Sequence, residues 1–218
     1  MLPIFVMYDS GVDTLEERAI LDGLMATKCY SHMRREIRLI NSEAWSNEDC
    51  SPADWYVDRA RKIYRNKIGY TQLDADHLLD LLANEPWQKT EPHIDVLFVS
   101  QDLTARDGED WLNFVFGIAD GRITVQSVAR YREINDPFER AMAIKTVVQH
   151  ELGHVFGMAA DLNRSNTEYK LGPHCTNPGC VMRQGLSVSE WVRHARESYS
   201  AGMIYCPQCL ADAERATF

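Results

Sequence analysis

Basic residues are scarce in this chain: 23 Lys and Arg stand against 32 Asp and Glu among 218 residues, a formal net charge of -9. Gripping nucleic acid takes clustered Lys and Arg that replace condensed counterions, so this balance argues against a phosphate-binding surface and against a nucleic-acid partner. The one basic cluster, Arg34, Arg35 and Arg38, is too small to reverse it. Long hydrophobic runs are missing as well. The apolar stretch Ile4-Phe5-Val6-Met7 is far shorter than a membrane span, and no positively charged segment precedes it. It therefore predicts a first strand in a cytoplasmic protein with no membrane partner. There are no low-complexity tracts or internal repeats, and 45% hydrophobic with 25% charged residues is the make-up of a globular chain able to bury a sizeable core. Length alone permits one large domain or a domain with a small appendage, and it says nothing of oligomeric state.

Cysteine is sparse too, but its placement is informative. Four of the six, Cys175, Cys180, Cys206 and Cys209, fall in two close pairs within the last fifth of the chain. Without a secretion signal, such pairs predict metal ligands rather than disulfides. Four thiolates close a tetrahedral zinc site that supports folding and leaves no open position for chemistry. A nucleic-acid-binding zinc ribbon would carry a basic, aromatic stripe, which this segment lacks. Cys29 and Cys50 have no neighbouring ligand partners, and His32, His77, His93 and His194 read as surface or capping residues.

Five segments read as strands: 4–8, 37–40, 94–100, 112–119 and 123–129. The first and third are nearly continuous apolar runs, as buried strands are, while the fifth partly alternates. Asp120-Gly121, between the last two, predicts an antiparallel hairpin. Helical periodicity runs through 14–33, 52–64, 75–83 and 137–156. This order predicts an α/β (α+β) fold with a mixed five-stranded sheet covered by helices. The last helix has readable ends: Asp136 suits the N-cap, Pro137 the first helical position and Glu139 the third, and Gly157 sits where a left-handed residue ends a helix. Residues 159–173 are polar and read as a loop beside the site, followed by a small metal-stapled region.

The last two turns of that helix carry His150-Glu151-Leu152-Gly153-His154. Residues four apart share a helix face, so His150 and His154 can bind one zinc ion through their imidazoles. Glu151 is placed to serve as general base to a water that zinc activates at neutral pH, which suits amide hydrolysis of a peptide or protein substrate. Gly157 extends the pattern to His-Glu-x-x-His-x-x-Gly, and three residues further on stands Ala160 where a third histidine would complete it. Two candidates for the third ligand stand open: Asp161, one position late, and His174, at the far end of the polar loop.

His174-Cys175 with Cys180, Met182 and the pair Cys206-Pro-Gln-Cys209 gives His-Cys-x4-Cys-x-Met followed by Cys-x-x-Cys. Together with the helix motif, this resembles the archaemetzincins, zinc peptidases of the metzincin clan. The resemblance continues upstream, through Tyr70, Leu78-Leu-Asp-Leu-Leu82, Asp95-Val-Leu-Phe-Val-Ser100, Leu112-Asn-Phe-Val-Phe-Gly117 and Ser127-Val-Ala-Arg130, and is weaker before about residue 63. It implies one metzincin-like catalytic domain over 1–218, with 174–218 a zinc-stapled C-terminal subdomain. It also implies two zinc ions: one catalytic, held by His150, His154 and His174, and one structural, held by Cys175, Cys180, Cys206 and Cys209. Met182 matches the methionine that lies beneath the catalytic zinc in that clan. The departure is the spacing from Gly157 to His174, 14 residues longer than in the family, so 159–173 is an insertion, whose closure entropy is small.

An insertion there shapes or covers the cleft, with Tyr169 and Lys170 as candidates to touch substrate, or it is simply solvated. The strand over 112–119 is the candidate sheet edge for an extended peptide, with Phe114 and Phe116 on it. The leading expectation is a zinc metallopeptidase. The competing one is a zinc-stabilised peptide- or protein-binding module that no longer turns over.

Overall fold

A computed structural model describes residues 2–30, 33–40, 52–65 and 72–216. His32, Cys50 and Tyr70, each given a role above, lie outside the described residues. In chain order the elements are β1 (Ile4–Tyr8), α1 (Thr14–Thr27), β2 (Ile37–Leu39), α2 (Pro52–Arg65), β3 (Leu73–Asp74), α3 (Ala75–Ala83), α4 (Pro86–Thr90), β4 (Ile94–Val99), β5 (Leu103–Thr104), β6 (Arg106–Asp107) and β7 (Asp110–Trp111). Then come β8 (Gly117–Asp120), β9 (Ile123–Ser127), a 3-10 turn (Ala129–Glu133), α5 (Pro137–Val155), β10 (Thr167–Tyr169), β11 (Pro173–Cys175), α6 (Val188–Ala201) and α7 (Pro207–Arg215). Among the described residues no helix is long and apolar enough to cross a membrane. Two compact units emerge: Met1–Thr14 with Arg35–Arg130, and Leu15–Arg34 with Tyr131–Phe218.

The first unit is built on a five-stranded mixed sheet in the order β2-β1-β4-β9-β8. β1, β2, β4 and β9 lie within the segments expected from sequence, and β8 overlaps the end of its own. β1 and β4 are parallel and central, which is why both are nearly continuous apolar runs: strands covered on both faces have no side to leave polar. β9 runs parallel to β4, and β8 returns antiparallel through a tight turn at Gly121 (φ +54°). The core packs Met7, Leu97, Val99 and Val125 of the sheet against Tyr56 and Val57 of α2 and Leu78 and Leu82 of α3. Asp74 caps α3 by accepting from the His77 backbone N–H at 3.1 Å.

Two readings of this unit need correction. The strand expected over 112–119 begins only at Gly117, because the preceding residues turn their hydrogen bonds elsewhere: Leu112 N–H donates to Ala105 and Val115 N–H to Leu103. Phe116 is buried, and the Arg130 guanidinium lies 3.5 Å from the centre of the Phe114 ring, so neither phenylalanine is a free peptide contact. His93 is not a surface residue. It is fully buried, stacked on Phe5 with ring centres 4.1 Å apart and 3.0 Å from Asp95.

The second unit is helical. α1 ends at Thr27 rather than 33, since Lys28, Cys29 and Tyr30 bond back to i−3 carbonyls and tighten the chain into a turn. Gly23 of α1 sits where a Cβ would come within 3.0 Å of Val148, so α1 and α5 approach closely there. Glu16 is fully buried and accepts both the Nε and NH2 donors of Arg132, at 2.7 and 2.8 Å. The region past residue 173 contains a long helix, α6, that its composition did not announce. Ser187 caps it by accepting from the Glu190 N–H, and Gly202 (φ +61°) ends it. His194, read from sequence as a surface or capping residue, is buried on α6. The 159–173 loop contains β10, which pairs antiparallel with β11, so His174 arrives on a hairpin strand opposite Glu168.

Candidate functional site

α5 presents the first two histidines. Asp136 caps its start, accepting from the Phe138 and Glu139 N–H groups at 2.8 and 3.1 Å. At the other end Gly157 (φ +74°) donates to the His154 carbonyl and Met158 to the Gly153 carbonyl, each at 2.9 Å, the paired bonds of a Schellman ending. His150 and His154 thus sit one turn apart, with their Nε2 atoms 3.0 Å apart. β11 brings His174 to them, its ring stacked on His150 at 5.2 Å and edge-on to His154 at 4.9 Å. One ligand nitrogen from each ring lies within 4.8 Å of the others.

Backbone carbonyls fix which nitrogen faces inward. His150 Nδ1 donates to the Val181 carbonyl at 2.7 Å and His174 Nδ1 to the Gly172 carbonyl at 3.0 Å. A carbonyl can only accept, so each Nδ1 carries the proton and each Nε2 offers a lone pair to the cluster. Burial holds all three rings neutral: it pushes His150 well below its ordinary range, His154 down to about 3, and lowers His174. Trp191 of α6 packs edge-on against His150 at 5.0 Å, and Gly185 leaves room for the indole, which a Cβ there would meet at 2.7 Å. Glu151, next to His150 on α5, is buried, and desolvation pushes its carboxyl up to about 8.

The four cysteines form a second buried cluster, with Cys175 and Cys206 sulfurs 3.7 Å apart and Cys180 and Cys209 sulfurs 3.8 Å apart. Zinc binds sulfur at about 2.3 Å, so a tetrahedral site separates its sulfurs by about 3.8 Å. Imidazole ligands at about 2.0–2.1 Å lie about 3.3 Å apart by the same geometry, against the 3.0 Å seen between His150 and His154. Both clusters therefore fit zinc. His150 Nε2, its proton held on Nδ1, presents a lone pair to His154 Nε2 at this distance, an approach that a proton on His154 or a cation between the two nitrogens satisfies. Without a metal the thiols share protons unevenly: hydrogen bonding with Cys175 and the other thiols lowers Cys206 and raises Cys180.

Of the two candidates for the third ligand, only His174 joins the cluster. Asp161 accepts from the Asn163 N–H at 3.0 Å and pairs with Arg215 at 3.5 Å. Met182 is fully buried under α5, where its sulfur would lie 2.1 Å from a Cβ on Gly153. The glycine between the two histidines is what lets the thioether approach. Tyr205 braces the same helix through a 2.7 Å bond from its hydroxyl to the Gln149 carbonyl. Gly153 was visible in the motif as a small residue between ligands; nothing in the sequence pointed to Trp191 or Tyr205. Tyr169 is exposed and, by the strand register, lies on the face opposite to His174, whereas Glu168 shares the His174 face.

No family model matches the chain. Known relatives do. Over 152 residues the chain is 30% identical to an archaemetzincin of Pyrobaculum aerophilum, an alignment that covers 67% of this chain and 82% of that protein. The chain belongs to the archaemetzincin family. It is also 30% identical over 134 residues to the archaemetzincin of Pyrococcus horikoshii and 29% identical over 111 residues to that of Pyrococcus abyssi. Those matches cover 54% and 48% of this chain, and they span only 60% and 48% of the two Pyrococcus proteins. In structure the chain resembles the archaemetzincin of Methanopyrus kandleri, with a TM-score of 0.62 at 22% identity, covering 98% of this chain and 94% of the other. A zinc-dependent peptidase of Methanocorpusculum labreanum superposes with a TM-score of 0.53 at 19% identity, over 96% and 99%. At these identities the two structures establish the fold shared with the archaemetzincin, and the chemistry rests on the residues themselves.

Proposed function

We propose that this member of the archaemetzincin family is a zinc metallopeptidase that hydrolyses peptide bonds in peptide or protein substrates. His150, His154 and His174 would hold one zinc ion, and Cys175, Cys180, Cys206 and Cys209 a second. The observation that carries this reading is the convergence of three neutral imidazoles, each offering one nitrogen, with a carboxylate on the same helix turn that is not part of the ligand group. Three protein ligands leave a fourth position open, as hydrolytic zinc sites do and closed structural sites do not. When bound there, zinc acts as a Lewis acid that acidifies water and polarises a carbonyl.

Glu151 is the general base. Its carboxylate takes a proton from the attacking water and hands it to the departing amine, which requires it to be ionised at working pH. Burial alone works against that, pushing the group up to about 8, and a divalent cation close by restores the charged form. Val181 and Gly172 hold the His150 and His174 rings through their carbonyls, and Trp191 walls one side of His150 from water. Met182, seated on Gly153 beneath the ligand-bearing turn, supports the metzincin-type arrangement.

The test is Glu151→Gln, which keeps the size of the side chain and removes the base. Cleavage of a mixed peptide library, read by mass spectrometry, should fall by about 100-fold or more while zinc per chain stays at two. A wild-type chain that holds two zinc ions and cleaves no peptide would instead make it a zinc-stabilised binding module.

A further inference from the structure

The stretch between Gly157 and His174 takes its course from the cysteine cluster. The Ala159 N–H donates to Asp212 Oδ2 at 3.0 Å. Arg164 NH2 donates to the Cys209 sulfur at 3.2 Å, and its NH1 lies 3.0 Å from the same Asp212 oxygen. Both side chains are largely withdrawn from water, Arg164 at 11% exposure and Asp212 at 2%. Arg215 reaches Asp212 as well, at 2.6 Å through its other oxygen, from a mostly exposed position. Beyond Arg164 the chain is pinned again: Thr167 Oγ1 donates to the Arg164 and Asp161 carbonyls, and the Thr176 N–H to that of Asn166. Thr167 then stands opposite Cys175 in the hairpin, one residue from the Glu168–His174 pair, and the hairpin tip supplies the Gly172 carbonyl that orients His174.

We infer that Arg164 is a positioning residue: it docks residues 159–173 onto the thiolate cluster and so holds His174 in place as third ligand of the other metal. This rests on the reading that the three histidines bind a metal. Four thiolates around Zn2+ leave a net charge of -2 that is buried and faces Asp212. A guanidinium, permanently charged and forked, meets both partners at once through a preset planar geometry that a lysine's flexible ammonium lacks. Remove it, and the Cys209 sulfur and the Asp212 carboxylate are left as two negative groups with one cation fewer between them. The segment then loses its anchor at the cluster, and the cost falls on His174, which the segment delivers. Outer partners of metal ligands are worth about 10–100-fold in metal affinity. Here the loss would fall at a site that Arg164 does not touch.

Cobalt(II) titration of the metal-free full-length chain separates the two sites, because thiolate ligation gives intense sulfur-to-cobalt charge-transfer absorption and imidazole ligation only weak visible bands. In Arg164→Met the thiolate site should still take one cobalt, while the dissociation constant of the histidine site rises about 10-fold. Arg164→Lys, which keeps the charge without the fork, should recover part of the loss. Histidine-site affinity in Arg164→Met equal to wild type overturns the inference. Should Arg164→Met also lose the thiolate bands, Arg164→Lys decides in the same way: weaker histidine-site binding than wild type supports the inference, and equal binding overturns it. A wild-type chain that takes up no second cobalt defeats the three-histidine reading and this inference together, whereas two cobalts bound with Arg164→Met unchanged defeats the inference alone.

Discussion

The histidine cluster and the cysteine cluster lie in one unit and are assembled in different ways. Two of the three histidines come from a single helix turn, so α5 spaces them before any metal arrives, and only His174 has to be brought in. The four cysteines come from β11, the turn after it and the start of α7, and none shares a regular element with another that would space the pair by itself, apart from Cys206 and Cys209 across the α7 N-terminus. Four thiolates repel one another, so as a thiolate cluster this group would need a metal to hold its shape, whereas neutral imidazoles do not repel in that way. The clusters are also interlocked. His174 precedes Cys175, Val181 and Met182 follow Cys180, and Tyr205 precedes Cys206, so each cysteine-bearing segment also places a group against α5 or in the histidine cluster. On the proposed reading, the cysteine site would be the foundation and the histidine site the dependent structure.

The largest expected effect is an asymmetry between two substitutions. Cys206→Ala should strip the chain of both zinc ions, because structural zinc sites contribute on the order of 10 kcal/mol to folding and the histidine site is built on this one. His150→Ala should lose one ion and keep the other. Zinc per chain after dialysis against a mild chelator reads both, and a Cys206→Ala chain that retains zinc at the histidine site would show the two clusters to be independent. A middle-sized effect is expected at Gly153. Gly153→Ala forces a Cβ into the space of the Met182 sulfur and should destabilise the zinc-loaded protein by about 1–3 kcal/mol, visible as a lower Tm. If Tm is unchanged, Met182 is not wedged beneath the ligand turn.

The smallest effect is the pH response of the chain that keeps zinc at the cysteine site and has its histidine site empty. His154 titrates near 3 in the folded state, below the ordinary 6.5, and His150 and His174 are lowered as well. The stability these neutral rings permit is complete above about pH 6.5 and is lost as pH falls from there towards 3, since the unfolded chain takes up protons that the folded one refuses. Chemical denaturation across that window should show the decline in wild type and a shallower one in His154→Ala. A flat profile would place the rings in contact with water.

Much of this was legible because it is local. The Asp136–Pro137 start, the histidine spacing and the Gly157 ending of α5 are set by hydrogen bonds within a few residues, and they stand in the structure where the sequence put them. β1 and β4 could be read from apolar runs whose burial on both faces leaves no alternation to misread. α6 is legible too, since Ser187-Val-Ser-Glu190 is a capping signature. Residues 112–116 could not: their apolar character suits a strand, and only the carbonyls of Leu103 and Ala105 decide that they bond elsewhere. His93 and His194 look polar in sequence and are buried because partners distant along the chain, Phe5 for one and the Gln184 carbonyl for the other, receive them.

The sequence by itself determined that two histidines four residues apart share a helix face with a glutamate between them, and that four cysteines in two pairs are available to one metal. Those facts follow from the helix period and from short spacings, which admit few geometries. Only the tertiary structure brought His174, and not Asp161, to the two helix histidines, turned a polar loop into the hairpin that carries it, and set Arg164 on the Cys209 sulfur. A chain of about 17 residues can close over many distances at nearly equal entropic cost. Where such a chain ends is fixed by what it packs against, and the spacing along it does not contain that information.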